Sequence, residues 1–381
     1  MDTERPGPKL SKKLFVLSAL VGLIVSLAGS TPAHDDNKAP QPGEKIERSL
    51  PVDAQVTVTL CVASGTLTVH GWEKNEVRVR SLGAGQLDFQ RIDKTKDSSK
   101  PATRVDVMVM QRPGVRNATL DCQAFADVEM EVPSGATVQV QTRDGDISIS
   151  GVAAAYAGSQ NGDITIERAT KLVEAGSVGG SIFLKDSSGR VNLSSAGGGV
   201  EAVNIRPVTP EDTFEVGTVS GDIQLDRVGN FKVNAKTVSG TVTMTGPLAK
   251  SGYYGFTNMA GDLVLELPHD ASFQLNAKVS EKQSIISDFK LTFINEPPAP
   301  PRPAATPKVP VVKDKPEVKD KAAVKDKPAA KGGPVIATIP AQRPIVIAPA
   351  YALKRVNAIC GSGDATISVA SFGGTVRLKK I

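Results

Sequence analysis

Residues 218–244 read TVSGDIQLDRVGNFKVNAKTVSGTVTM, and the tetrapeptide Thr-Val-Ser-Gly occurs in them twice, at Thr218–Gly221 and at Thr237–Gly240. Each copy is followed by a short alternation of apolar and polar residues, which is typical of a β-strand with one buried face. The copies begin 19 residues apart (237 − 218). A unit of this length cannot bury its own apolar residues, so it predicts a repeat architecture in which neighbouring units cover one another.

The repeat extends well beyond these two copies. A glycine followed by an apolar-x-apolar triplet recurs through residues 136–294, and the gap between Gly180 and Gly221 holds two periods, with Gly199–Val203 as a degraded copy. Stacking the units predicts an all-β fold, a parallel β-solenoid (β-helix) with coils of about 20 residues. A glycine is expected at one corner of each coil because a sharp bend often needs a positive φ. The predicted corner column comprises Gly145, Gly162, Gly180, Gly221, Gly240, Gly261 and Gly363.

The composition agrees with many short strands and tight turns. Of the 381 residues 40% are apolar but only 4% are aromatic, whereas there are 35 glycines and 26 prolines. A core of small and β-branched side chains suits strands better than packed helices.

The domain organisation follows from shifts in composition. Arg5, Lys9 and neighbouring lysines precede the apolar stretch Leu14–Ala28, the pattern of a secretory signal peptide; an uncleaved amino-terminal anchor is the alternative. The chain is therefore expected to be exported to the periplasm or the cell surface. The predicted segments are 1–33 signal peptide, 34–50 flexible lead-in, 51–135 amino-terminal β region or cap, 136–294 solenoid repeats, 295–349 disordered Pro/Lys-rich insert, and 350–381 carboxy-terminal strands capping the solenoid.

The Pro/Lys-rich insert carries much of the positive charge. Between Lys308 and Lys331 there are eight lysines and four acids, and the six-residue repeat around them has no apolar face. Exposed ammonium groups attract anionic polymers or lipid headgroups weakly and in a salt-dependent way. A solubilising connector without a partner is the alternative interpretation.

The three cysteines match no zinc-binding spacing. In an oxidising compartment one disulfide and one thiol, or three unpaired cysteines, are both consistent with the sequence. Cys61 and Cys122 are the preferred pair because both fall in the amino-terminal strand region, which leaves Cys360 unpaired.

Aspartates recur beside the corner glycines, where they could hold Ca²⁺ between stacked oxygens or satisfy backbone donors of the turns. Turn chemistry is favoured because Ser181 and Thr241 interrupt the column and the glycine-rich nonapeptide of calcium-binding solenoids is absent. The aspartates concerned are Asp146, Asp163, Asp222, Asp262 and Asp364.

The other reactive or aromatic residues form no recognisable site. His34, His70 and His269 lack metal-ligand spacing. Trp72 and the pair Tyr253-Tyr254 could stack on sugars, although a core role is the favoured interpretation. No catalytic residue, cofactor or metal is therefore predicted, and nucleic acid is not an expected partner because basic and aromatic residues are not interleaved.

One family has motifs of this kind. The segment Ser64–Val79, the Ser-Gly-Asp-Ile-like corners and the closing segment Gly361–Ile367 resemble the bacterial putative-adhesin family of β-strand-repeat proteins, a domain family of unknown function. The resemblance covers residues 50–292 and 350–381. It implies an exported β-solenoid with adhesion as its named role, and it brings no catalytic residues.

The sequence thus predicts an exported, non-enzymatic, adhesin-like binding or scaffolding protein of the bacterial cell envelope. Its expected partners are envelope or surface polymers, whether glycan, anionic lipid or protein. The alternatives are a polysaccharide-active β-helix enzyme, which would need acids and bases at matching positions on consecutive coils, and a self-assembling structural protein, which would need bare ends.

Overall fold

The computed structural model describes residues 45–92, 100–111, 122–294 and 353–381. The predicted signal peptide, most of the lead-in and the Pro/Lys-rich insert lie outside these residues. The strands are β1 (Lys45–Ser64), β2 (Leu67–Trp72), β3 (Glu76–Leu82), β4 (Gln86–Arg91), β5 (Ala102–Met110), β6 (Asp127–Pro133), β7 (Thr137–Asp144), β8 (Ile147–Ser150), β9 (Ala154–Ser159), β10 (Ile164–Glu167), β11 (Leu172–Ser177), β12 (Ile182–Lys185), β13 (Arg190–Ser195), β14 (Val200–Ile205), β15 (Thr213–Ser220), β16 (Ile223–Val228), β17 (Lys232–Ser239), β18 (Val242–Thr245), β19 (Tyr253–Ala260), β20 (Leu263–Leu267), β21 (Phe273–Ser280), β22 (Ile285–Ser287), β23 (Thr292–Phe293), β24 (Leu353–Cys360), β25 (Ala365–Ser371) and β26 (Val376–Lys380).

The strands form two sheets, and each coil contributes one strand to each, which confirms the predicted all-β parallel solenoid. Sheet A runs β1 (residues 45–51), β3, β6, β2, β8, β10, β12, β14, β16, β18, β20, β26, β22. Sheet B runs β4, β5, β1, β7, β9, β11, β13, β15, β17, β19, β25, β21, β24, β23. All pairs are parallel except those of β3, β4, β23 and β24.

The core is a ladder of aliphatic side chains between the sheets. Within β16, Ile223 and Leu225 are buried whereas Gln224 faces solvent. Because parallel neighbours are in register, each buried position continues into the next coil. One such row comprises Ile147, Ile164, Ile182, Val200, Ile223, Val242, Leu263 and Val376, all at most 1% exposed.

At both ends the order of coils departs from the order of the chain. The coil of β1 and β2 lies between the coil of β5 and β6 and that of β7 and β8. The region 51–135 therefore supplies coils of the solenoid itself. At this end, β3 is antiparallel to β6 on one side and to residues 45–51 of β1 on the other, and β4 is the antiparallel edge of sheet B. At the other end, β25 and β26 lie between the coil of β19 and β20 and the coil of β21 and β22.

Within the described ranges, no helix has the length and apolar character needed to cross a bilayer.

Candidate functional site

A column of glycines forms the corner that leads into nine strands of sheet A, from β2 to β26 in the order of the sheet. A Cβ built on Gly221 would lie 2.2 Å from the carbonyl oxygen of Gly198, and one on Gly240 would lie 2.1 Å from that of Gly221. Real Cβ atoms do not approach a backbone oxygen so closely, so the corner excludes every other residue type. The column comprises Gly65, Gly145, Gly162, Gly180, Gly198, Gly221, Gly240, Gly261 and Gly374.

The column corrects two assignments made from the sequence. Gly363 lies outside it, in the turn before β25, because the segment that follows Gly363 enters sheet B and not sheet A. Gly374, which precedes β26, occupies the column instead, with its built Cβ 2.0 Å from the oxygen of Gly261. In the degraded copy the column residue is Gly198, so Gly199 stands where other coils have aspartate or threonine.

A second column, which was not predicted from the sequence, consists of buried polar side chains three residues before six of these glycines; we call it the hydroxyl column. Ser177 Oγ donates to the oxygen of Gly162 at 3.1 Å, and Thr218 Oγ1 donates to that of Gly198 at 3.0 Å. Each hydroxyl satisfies a buried carbonyl of the preceding coil, which would be costly to leave unpaired. The first residue of Thr-Val-Ser-Gly has this role. The column comprises Ser159, Ser177, Ser195, Thr218, Thr237 and Asn258.

The corner aspartates act on the backbone of the next coil. Asp163 Oδ1 accepts a hydrogen bond from the Ser181 amide at 2.7 Å, and Asp222 Oδ1 accepts one from the Thr241 amide at 2.7 Å. Asp364 lies apart, in the turn before β25, where it accepts from Ser362 Oγ. These contacts are turn chemistry, and within the described segments no group of three or more His, Cys, Asp or Glu side chains is placed to hold a metal ion.

The aromatic candidates are not assembled into one platform. Tyr254 is fully buried, and its hydroxyl accepts from the Ala249 amide, whereas Tyr253 is 41% exposed. Trp72 donates its indole N–H to the Glu76 carbonyl, and the cations of Lys74 and Arg78 each lie 4.8 Å from its ring centroid. The ring of Trp72 is therefore engaged by its own chain.

Neither histidine in the described segments belongs to a group of three or more side chains placed to hold a metal ion. His70 Nδ1 is hydrogen-bonded to Ser150 Oγ at 2.9 Å on the outer face of sheet A, and His269 is exposed in a turn. His34 lies outside the described residues.

Cys61 on β1 and Cys122 before β6 are joined by a disulfide, with their Cα atoms 5.0 Å apart. Cys360 is unpaired and buried. Burial raises the pKa of the Cys360 thiol, and the nearby Lys380 acts in the opposite direction. A thiol of this kind is unreactive.

The outer face of sheet B carries a groove across β9, β11, β13 and β15, which we call the sheet B groove. Its floor has almost no side chains, one wall is polar, and the other is a rim of small apolar side chains in which Val178 and Val219 are 49% and 43% exposed. The floor is Gly158, Gly176, Ser194 and Gly217; the wall is Tyr156, Glu174, Asn192 and Glu215; the rim is Val178, Ala196, Val219 and, on β17, Val238.

The floor glycines differ physically from the corner glycines. A Cβ built on Gly217 would meet nothing closer than the Lys236 oxygen at 3.9 Å, and one on Gly158 would meet Gln141 Cγ at 3.7 Å. The fold therefore does not require glycine at either position. With neighbouring strands about 4.8 Å apart, the groove extends about 14 Å along the solenoid axis.

One buried carboxyl lies on the same face, nearer the amino-terminal end. Asp106 on β5 is only 4% exposed. Burial raises the pKa of the Asp106 carboxyl, whereas Thr59 and the positive charge of Arg104 act in the opposite direction. Its charged form is thus destabilised in the folded state.

We expect Asp106→Asn to stabilise the protein at pH 7, on the order of 1 kcal/mol, because the amide removes a buried charge. A folded-state pKa above the unfolded value means that wild-type stability increases as the pH falls through the folded pKa. The advantage of the variant should therefore shrink towards the ordinary Asp pKa of 3.8. Urea unfolding at pH 4 to 8 measures the difference in stability between the variant and the wild type, and Glu215→Gln, at an exposed position, is the control. An advantage independent of pH would contradict the assignment.

The comparison with solved structures found one putative cell adhesion protein. A solved structure of a "putative cell adhesion protein" from Clostridium sporogenes ATCC 15579 is 12% identical, and the match covers 89% of this chain and 100% of that chain. Its TM-score is 0.17, so it carries no argument about fold or role. None of the curated proteins matches the chain.

The family comparison is decisive for membership. The family model described as Toastrack DUF4097 matches residues 44–288, which is more than half of the 381 residues. The matched stretch contains the glycine column from Gly65 to Gly261 and the sheet B groove. The resemblance that the sequence predicted is confirmed, and the chain belongs to the Toastrack DUF4097 family.

Proposed function

We propose that this chain is an exported, non-enzymatic, adhesin-like protein of the bacterial cell envelope that binds a polymer along the sheet B groove. The observation that carries the proposal is the groove itself: a floor of glycine and serine beside a polar wall, repeated in register over four consecutive coils, with an apolar rim on the coils of β11, β13 and β15. An extended chain that repeats along its length fits a site that repeats along the solenoid axis.

The side chains of the wall favour a neutral glycan strand as the ligand. Asn192, Glu174 and Glu215 supply amide and carboxylate groups that pair with hydroxyls, and Tyr156 adds an aromatic ring. The two carboxylates would repel an anionic polymer at this face. The exposed valines of the rim can cover the apolar faces of sugar rings.

Export is supported by the disulfide between Cys61 and Cys122, since disulfides persist in oxidising compartments. The scaffold also suits a rigid binding surface, because each floor residue is fixed by ladder pairs on both sides. Little conformational entropy is lost when a site of this kind binds.

Gly217→Arg should weaken binding of a neutral envelope glycan at least about tenfold, because the long cationic side chain fills the groove floor. Its stability should stay within about 0.5 kcal/mol of wild type, since a Cβ at Gly217 meets no close atom. Isothermal titration calorimetry with a panel of neutral and anionic glycans measures the effect. The matched control is Gln224→Arg, which adds the same charge to the outer face of sheet A in the same coil.

Three results would contradict the proposal. Equal weakening by Gln224→Arg would move the site away from sheet B. Preferential binding of anionic glycans would contradict the charge argument. Release of shortened chains from any glycan would make the protein an enzyme.

A further inference from the structure

The coil of β25 and β26 fills a slot between two coils that precede it in the chain. In sheet B, β25 pairs in parallel with β19 on one side and with β21 on the other. In sheet A, β26 pairs in the same way with β20 and β22. Without this coil, β21 and β22 lose the parallel neighbours that join them to the solenoid.

The carboxy-terminal segment 353–381, which we call the insertion module, has strands that pair with earlier strands and not with one another. β24 is antiparallel to β21 and β23, so β24 and β25 lie on opposite sides of β21. The turn between them passes over Ser272, whose Oγ accepts hydrogen bonds from the amides of Gly363 at 3.0 Å and Asp364 at 3.2 Å. The module therefore has no described core of its own and is ordered by its slot.

The buried side chains of the module complement both neighbours. Ile367 lies between Tyr254 and Leu275, and Val369 lies between Phe256 and Ala277, in rows whose largest side chain is the aromatic ring on β19. Ile367 is completely buried. A chain with a different sequence would leave cavities or clashes at these positions.

The connection to the module is much longer than the closed arrangement needs. The amide of Ile294 donates to Asn357, and Leu353 lies four residues before Asn357 on the same strand, about 13 Å away. The intervening residues 295–352 number 58 (352 − 295 + 1). Fully extended, they would reach roughly 200 Å. The module can thus reach the slot of another molecule without breaking any covalent connection.

We propose that the slot formed by β19, β20, β21 and β22 binds the insertion module of a second copy of this chain, so that two molecules exchange their carboxy-terminal coils. Every pairing and buried contact of the module is the same in the exchanged and the closed form. The choice between them is set by protein concentration against the effective concentration that the connector provides. This interaction is independent of glycan binding, because the sheet B groove lies on other coils.

The test places one cysteine on each side of the slot in separate chains. Thr257 on β19 and Ala370 on β25 are directly opposed, and both are half-buried at the outer face. Full-length Thr257→Cys and Ala370→Cys chains are mixed, unfolded, refolded together under a thiol–disulfide buffer, and separated without reductant. We expect a covalent heterodimer whose share increases in proportion to protein concentration.

Two controls make the result decisive. The double variant Thr257→Cys/Ala370→Cys must form the bond within one chain, which verifies the slot geometry. A mixture of Ser194→Cys with Ala370→Cys measures random cross-linking, since Ser194 lies on β13, away from the slot. Heterodimer no more abundant than in this mixture, or absence of the bond in the double variant, overturns the proposal.

The length of the connector, residues 295–352, can be varied independently of the slot. Deleting residues 301–346 leaves 12 of the 58 connector residues (58 − 46), which still span the closed gap. The effective concentration of each module at its own slot should rise about tenfold, and the exchanged share should fall by the same factor. An unchanged share would show that the dimers do not arise by exchange.

Discussion

Replacing Gly221 with alanine should destabilise the solenoid by about 3–5 kcal/mol, the largest effect expected of a single methyl group in this chain. The added Cβ would lie 2.2 Å from the oxygen and 2.7 Å from the carbon of the Gly198 carbonyl. That carbonyl cannot withdraw freely, because it also accepts a hydrogen bond from Thr218 Oγ1. The clash therefore has to separate β14 from β16 and break pairs on both sides of the corner.

The matched control is Gly217→Ala, four residues earlier in the same coil. Its Cβ would meet only the Lys236 oxygen, at 3.9 Å, so stability should change by at most about 0.5 kcal/mol. Urea unfolding followed by circular dichroism measures both variants. Amide exchange should accelerate most in β14 and β16 of the Gly221 variant, since each coil contacts only its neighbours. Similar losses in the two variants would show that the corner has no special steric requirement.

The first corner of each coil could be predicted from the sequence because its steric demand admits a single residue type. Gly145, Gly162 and Gly180 occur at regular spacing. The two buried aliphatic residues that follow each glycine set the register of the strand. The hydroxyl column could also have been found, since Ser177 and Thr218 both stand three residues before a column glycine.

The second corner, at the end of the sheet A strands from β8 to β18, could not be predicted in this way. Its residues adopt left-handed φ values, as in Arg168 at 54°, Asp186 at 49° and Asn204 at 63°. Asparagine and aspartate tolerate this region, and other residues do so at a modest cost, so no single residue type marks the position.

The order of the coils at the two ends could not be predicted from the sequence either. Every coil offers the same ladder of backbone donors and acceptors, so nothing local distinguishes insertion of β25 beside β19 from stacking beyond β21. The difference lies in side-chain fit over more than a hundred residues of separation, which a periodic pattern does not encode. Gly363 was misplaced for another reason: Gly363-Asp364 and the strand pattern after it look like a column corner, although that strand, β25, belongs to sheet B.

The sheet B groove was partly predictable. Its floor glycines, Gly158, Gly176 and Gly217, each stand directly before a residue of the hydroxyl column, in the middle of a strand where glycine is otherwise unfavourable. The walls could not be predicted, since Glu174 and Asn192 are ordinary exposed residues until the register places them side by side.

The second large effect is expected on removing the disulfide. The double variant Cys61→Ala/Cys122→Ala should lose about 2–4 kcal/mol, because the bridge closes a loop over a sequence separation of 61 residues and restricts the unfolded chain. The folded state also depends on this tie. The amide of Ala63 on β1 donates to the Ala124 carbonyl at 2.8 Å. The bridge therefore holds the segment before β6 against the coil of β1 and β2, whose strand β2 pairs with β6.

Urea unfolding with and without a reductant separates the bridge from the side chains. Reductant should lower the stability of the wild type and of Cys360→Ala by the same amount, since Cys360 is unpaired, and should leave the double variant unchanged. The loss should concentrate in β1, β2, β5 and β6, where amide exchange should accelerate, while the coils from β11 onward stay protected. A double variant as stable as the oxidised wild type would show that parallel pairing of β1 with β5 and β7 holds the inserted coil without the bridge.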